Sequence, residues 1–104
     1  MGELPHGHCI EIATFRVKEG VSDDALLALE ERIRAGQIAR EPGYLARELA
    51  KDASSGEWLL IMRFQTRAQL DGWMAKVKTV PEMRELGAML DVSSMTARFY
   101  EGLA

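Results

Sequence analysis

Trp58-Leu59-Leu60-Ile61-Met62-Arg63-Phe64-Gln65 is the stretch on which the fold turns. Read as a strand, it places Trp58, Leu60, Met62 and Phe64 on one face and Leu59 and Ile61 on the other, because successive side chains point to opposite sides. A strand that is apolar on both faces is covered on both sides. The run Asp52-Ala53-Ser54-Ser55-Gly56 before it has turn composition. Before that turn, Tyr44 to Lys51 reads as another strand, entered through Pro42-Gly43. After Gln65, Thr66-Arg67-Ala68-Gln69 fits a capping box, with Thr66 at the cap and Gln69 three residues on. Leu70, Trp73, Met74 and Val77 then recur at the spacing of a half-buried helix.

The pattern extends both ways. Cys9 to Lys18 is β-branched and aromatic and is closed by Glu19-Gly20, which makes it a strand. Cys9, Glu11, Ala13, Phe15 and Val17 share one face, and Ile10, Ile12, Thr14 and Arg16 share the other. Ser22-Asp23-Asp24 supplies a helix cap and acidic residues at the positive end of the dipole. Leu26, Leu29 and Ile33 follow at helical spacing, with Glu30 and Arg34 read as an i,i+4 pair on the solvent side. The residue before Pro42 is pushed out of the α region, so this helix is expected to end near Arg40. Pro81 opens a short further helix with Met83, Leu86 and Leu90 on its apolar side. The last strand, about Val92 to Tyr100, alternates Met95, Ala97 and Phe99 with Ser94, Thr96 and Arg98.

The order is β-α-β-β-α-β, an α+β, ferredoxin-like arrangement with a four-stranded antiparallel sheet and helices on one face. Helices on one face leave the other open, yet the first and third strands carry apolar groups on both. A second copy, packed sheet to sheet into an α/β barrel, is the simplest cover, so a homodimer is expected. Residues 9–104 read as one domain, preceded by a flexible N-terminal segment at residues 1–8.

The 104-residue chain balances 13 basic against 16 acidic side chains for a net charge of −3, without a basic patch. Nucleic acid is therefore not an expected partner. No apolar run approaches the ~20 residues needed to cross a bilayer, so no membrane association is expected. The N-terminus lacks the basic and apolar regions of an export signal. A single cysteine, Cys9, fits a reducing cytoplasm.

Few residues carry chemistry on their own. Glu11 shares a strand face with Ala13 and Phe15. An acid on a helix-covered face is paired, perturbed or beside a cavity, unless it reaches solvent at the strand end. Trp73 is a core tryptophan of an amphipathic helix or the wall of a pocket, and the two readings are compatible. His6, His8 and Cys9 bring three potential metal donors together, too few and too close to complete a site unaided, so no metal is expected. His8 is also a candidate for proton transfer near a pocket mouth. Arg63, Thr96 and Arg98 fall on the face expected at the dimer interface, and Met62, Met74, Met83 and Met95 fall on apolar positions. There is no nucleophile–His–acid arrangement, phosphate loop or carboxylate dyad.

With these residues in place, the chain resembles the dimeric α/β-barrel superfamily, and within it the antibiotic biosynthesis monooxygenase-like family. Glu41-Pro42-Gly43-Tyr44 carries the resemblance most specifically. Val17-Lys18-Glu19-Gly20 adds to it, as do Leu60-Ile61-Met62-Arg63-Phe64 and Gln69-Leu70-Asp71-Gly72-Trp73. Val80-Pro81-Glu82-Met83 stands where many members carry a Ser-Pro-His-Phe-like step. The resemblance implies two-sheet dimers and, in some members, cofactor-independent oxygenation of polycyclic aromatic or quinone-like molecules. Haem-degrading members use an Asn, a Trp and an iron-ligating His. Here Trp73 matches the Trp, Ala13 stands where the Asn would be, and Lys76 to Leu90 contains no His. Haem degradation is therefore not expected, and no cofactor is expected.

The resemblance implies a small cofactor-independent monooxygenase that binds a planar aromatic molecule. Glu11 would be its catalytic base, and Trp73, Phe15, Ala13, Met83 and Phe64 its ligand-binding residues. The competing reading is a non-catalytic dimer of the same fold that binds a small molecule or serves only structure. The missing Asn and His favour it.

Overall fold

A computed structural model describes residues 4–104. The expectation for the N-terminal segment therefore falls partly outside the described residues. The elements in chain order are β1 (His8–Val17), α1 (Asp23–Gly36), β2 (Tyr44–Lys51), β3 (Trp58–Phe64), α2 (Arg67–Lys76), α3 (Pro81–Met89) and β4 (Leu90–Gly102). Short 3₁₀ turns, Ile38–Arg40 and Val77–Thr79, follow α1 and α2. The four strands form one antiparallel sheet in the order β2-β3-β1-β4. The two central strands are the two whose sequences are apolar on both faces. This is the ferredoxin-like α+β fold.

Register explains how the helix-covered face is composed. Arg47 of β2, Met62 of β3, Glu11 of β1 and Phe99 of β4 stand in one cross-strand row. Leu49, Leu60, Ala13 and Ala97 form the next. Phe15, Leu26, Leu29, Ile33, Trp58, Leu86 and Leu90 make one buried cluster toward α1 and α3. Cys9, Ile38, Met62, Phe64, Leu70 and Trp73 make a second toward α2. Met83 packs against both.

Helix starts follow the local chemistry. Ser22 Oγ accepts from the Ala25 amide at 3.1 Å. At α2 both bonds of the capping box form, Gln69 N to Thr66 Oγ1 at 3.1 Å and Thr66 N to Gln69 Oε1 at 3.2 Å. This box leans on the Pro42-Gly43 turn. Gly43 has φ +79°, and a Cβ there would collide with the Gln69 side-chain amide. The glycine is required twice, for backbone conformation and for space.

Three boundaries differ from the sequence pattern. α1 ends at Gly36, and the chain tightens into the Ile38–Arg40 turn, which buries Ile38 before Pro42. β4 runs from Leu90 to Gly102, longer than its alternation suggests, because β1 pairs with it from Val17↔Leu90 to His8↔Gly102. β1 itself begins at His8. Glu30 and Arg34 do not pair on the solvent side. Arg34 bonds Glu31, while Glu30 turns inward to Arg47.

The opposite face carries Ile10, Ile12 and Thr14 beside Leu59, Ile61 and Arg63, all half-buried. Thr96, Arg98 and Tyr100 of β4 border them and are exposed. No helix among the described residues is long and apolar enough to cross a membrane.

Candidate functional site

A cavity of about 200 Å³ lies between the helix-covered face of the sheet and the helices. Its floor is the two cross-strand rows, Arg47, Met62, Glu11 and Phe99, then Leu49, Leu60, Ala13 and Ala97. Trp73 and Met74 of α2, Met83 and Leu86 of α3, and Glu30 of α1 complete the wall with Phe15, Leu90 and Met95. Met74, Met95 and Phe99 are exposed and mark its rim. The pattern that placed Met74 on the buried stripe, and Met95 at an apolar position, is thus corrected: with Phe99 these side chains border an opening. The Arg67 guanidinium carbon lies 4.0 Å from the Phe99 ring centroid.

Of the residues singled out in the sequence, Glu11, Ala13, Phe15, Trp73 and Met83 are brought together on this wall. Phe64 is not among them. It is fully buried in the α2-side cluster and meets Tyr44 edge-on at 6.1 Å, away from the cavity. Two wall residues escaped the sequence reading, Glu30 and Arg47. The signal for Glu30 was its spacing, four residues after Leu26 and three before Ile33, on the buried side of α1. Arg47 shares the inner face with Leu49 by strand alternation and stands opposite Met62, whereas the register shift between Tyr44 and Ala46 sets Tyr44 opposite Phe64.

The cavity is apolar except for four groups. Glu11 is 5% exposed, and burial pushes its carboxyl above the ordinary range, with Arg47 and then Arg67 pulling it back. Arg47 Nε donates to Glu30 Oε2 at 2.8 Å, and Arg47 Nη1 lies 3.5 Å from the Met62 sulfur. Glu30 Oε1 is buried with no hydrogen-bond partner among the described residues. The same holds for Trp73 Nε1, whose ring is 1% exposed.

The His6, His8 and Cys9 donors do not converge. Cys9 faces the α2-side core, whereas His8 lies over Gly102, its Nδ1 2.8 Å from Pro5 O and its Nε2 2.9 Å from Arg63 Nη1. Both ring nitrogens are thus engaged outside the cavity. Arg63 is occupied with His8, and Thr96 Oγ1 meets Thr14 Oγ1 at 2.5 Å. Among the described residues, no group of three or more His, Cys, Asp or Glu side chains is placed to hold a metal ion.

The fold recurs in solved structures. SnoaB, a cofactor-independent oxygenase from Streptomyces nogalater, superposes with a TM-score of 0.74 at 15% identity, over 90% of this chain and 91% of that one. Rv0793 from Mycobacterium tuberculosis gives 0.67 at 22% identity, over 93% and 96%. A third structure, described as an antibiotic biosynthesis monooxygenase, gives 0.72 at 22% identity, over 92% and 99%. At these identities the likeness establishes the fold. No curated protein sequence matches significantly. The sequence pattern of the family described as antibiotic biosynthesis monooxygenase matches residues 9–85. On that match, the chain belongs to the antibiotic biosynthesis monooxygenase family.

Proposed function

We propose that the protein is a cofactor-independent monooxygenase that takes a planar aromatic or quinone-like molecule into the cavity. One observation carries this reading: a buried acid, Glu11, and an unpartnered indole N–H, Trp73 Nε1, share the wall of an apolar chamber. The chamber of about 200 Å³ is small beside the ~300–1,000 Å³ of drug-sized sites. A fused ring system would fill it and extend to the rim at Met74, Met95 and Phe99.

The chemistry needs little from the protein. Glu11, as carboxylate, removes a proton from an activated CH₂ of the substrate. The resulting carbanion, delocalised into its rings, supplies electrons to O₂. One oxygen atom ends in the new carbonyl and the other in water, so that CH₂ + O₂ gives C=O + H₂O. All the electrons come from the substrate. A carboxyl raised by burial is a stronger base once ionised than a solvated one. Trp73 Nε1–H donates to the oxygen on which charge develops.

The protein works in this reading as a cytoplasmic homodimer joined through the face that carries Ile10, Ile12, Leu59 and Ile61. A non-catalytic binder is the second reading. It is favoured by Ala13, which gives the floor a methyl group where an Asn amide would otherwise assist chemistry. Oxygen uptake with hydroxylated anthrones and quinols separates the two. Stoichiometric uptake that Glu11→Gln abolishes without loss of binding supports the enzyme. Binding without uptake supports the binder, and the absence of both overturns the two readings together.

A further inference from the structure

The Glu30–Arg47 pair is an unusual feature for the wall of an apolar cavity. Glu30 is 8% exposed and Arg47 6%. Together with Leu49 they line both the cavity and a shallow groove on the outer side, between α1 and β2. The pair is therefore a polar partition, one ion pair thick, between the ligand chamber and the surface.

The partition is only half satisfied. Arg47 Nε holds Glu30 Oε2 at 2.8 Å, and its Nη1 rests against the Met62 sulfur. Arg47 thus spends Nε on Oε2 and turns Nη1 to Met62, and neither reaches Oε1. Oε1 stays buried without a partner. An ion-paired carboxylate oxygen is a strong acceptor, and a buried one without a donor is costly. Across the chamber, Trp73 Nε1–H is a donor without an acceptor. The two orphaned groups have opposite demands, and a single ligand can meet both.

We propose that Glu30 is a specificity-determining residue: its Oε1 accepts a hydrogen bond from a hydroxyl of the bound aromatic molecule, with Arg47 as the positioning residue that aims it. Trp73 Nε1–H takes an acceptor oxygen of the same molecule. The ligand therefore carries a proton donor at its α1–β2 end. An analogue with a methoxy group there, or with hydrogen alone, leaves Oε1 unsatisfied. This inference rests on reading the cavity as a ligand site and adds which substituent it selects.

The test is binding to the full chain of three unreactive quinones: 2-hydroxyanthraquinone, 2-methoxyanthraquinone and anthraquinone. Tryptophan fluorescence quenching or calorimetry reads the affinities, at a pH where the phenol is un-ionised. The wild type should bind the hydroxy compound about tenfold or more tighter than the other two. Glu30→Gln, whose amide oxygen can keep Arg47 while its NH₂ turns inward, should erase or invert that preference. Trp73→Phe should weaken all three and leave their ratio unchanged. Equal binding of the three by the wild type, which needs no variant to fold, overturns the proposal while leaving the cavity reading intact. So does a Glu30→Gln protein that keeps the wild-type ratio. Failure of all three quinones to bind at high micromolar concentration overturns this proposal and the ligand-site reading together.

Discussion

Glu30 on α1 and Arg47 on β2 meet at 2.8 Å in the wall of the cavity, with side chains 11% and 2% exposed. Removing one partner leaves an uncompensated buried charge. Arg47→Met alone should therefore destabilise the protein by about 3–5 kcal/mol, whereas the double change Glu30→Leu with Arg47→Met should recover most of that loss. Urea unfolding of both variants checks this. A double variant no more stable than the single one would mean that the pair fixes the backbone rather than only neutralising itself.

Glu11 should leave a signature in the pH dependence of stability. Burial raises its folded-state carboxyl above the ordinary value of 4.5, so the folded protein holds this proton more tightly than the unfolded chain does. The stabilisation is fully present below the unfolded value and is lost as pH rises through the folded one. Glu11→Gln mimics the protonated form at every pH. Its stability advantage over the wild type should be small in acid and grow toward neutrality. Denaturant midpoints across pH measure it, and an advantage that shrinks with rising pH would rule out burial as the dominant influence on this carboxyl.

Trp73→Ala should lower stability by about 3–5 kcal/mol, the range for a large aromatic lost from a core. Trp73→Phe should cost far less, because it keeps an aromatic ring on the wall. If both variants lose equal stability, indole packing matters more than cavity shape. Thermal or urea unfolding gives the comparison.

Gly43→Ala should be among the most damaging single-methyl additions. It forces a left-handed φ on alanine, worth about 1–3 kcal/mol, and drives a methyl group into Gln69 of the capping box. Circular dichroism during urea unfolding should report a lower midpoint. A midpoint within error of the wild type would show that Gln69 can leave its cap without penalty.

Light scattering at micromolar concentration should give twice the mass of one chain. Ile12→Lys and Ile61→Lys on the open face should each shift the protein toward monomer while the far-ultraviolet circular dichroism is retained. A wild-type protein that scatters as a single chain would exclude the sheet-to-sheet arrangement.

The sheet and its helices were readable because they rest on local rules. Alternation through Trp58–Phe64, the Thr66–Gln69 box and Pro81 at a helix start each depend on residues a few positions apart. The site was readable in part for the same reason: Glu11, Ala13 and Phe15 share a face by alternation alone. Glu30 was misread because an Arg stands four residues on, and only tertiary structure decides that Arg47 claims it. Phe64 was misplaced because alternation assigns a face but says nothing about position along it. The inner face is solid core at Phe64 and again at Trp58, and it is hollow between them, over the rows of Glu11 and Ala13. Met74, Met95 and Phe99 look like core by pattern, because the rim of a cavity and the interior of a core have the same composition.

Met62, Met74, Met83 and Met95 all line the cavity. Thioether chains are unbranched and polarizable and move between rotamers at low cost, so a chamber built from them can remodel around ring systems of different outline. Breadth of ring shape can thus coexist with strict choice of substituent. The same sulfur atoms are the most oxidisable groups beside any reactive oxygen species released there. Conversion to sulfoxide would make a dry wall polar, reversibly where a reductase has access. A protein of this design would age from the inside, with mass gains in steps of one oxygen on the peptides that carry these methionines.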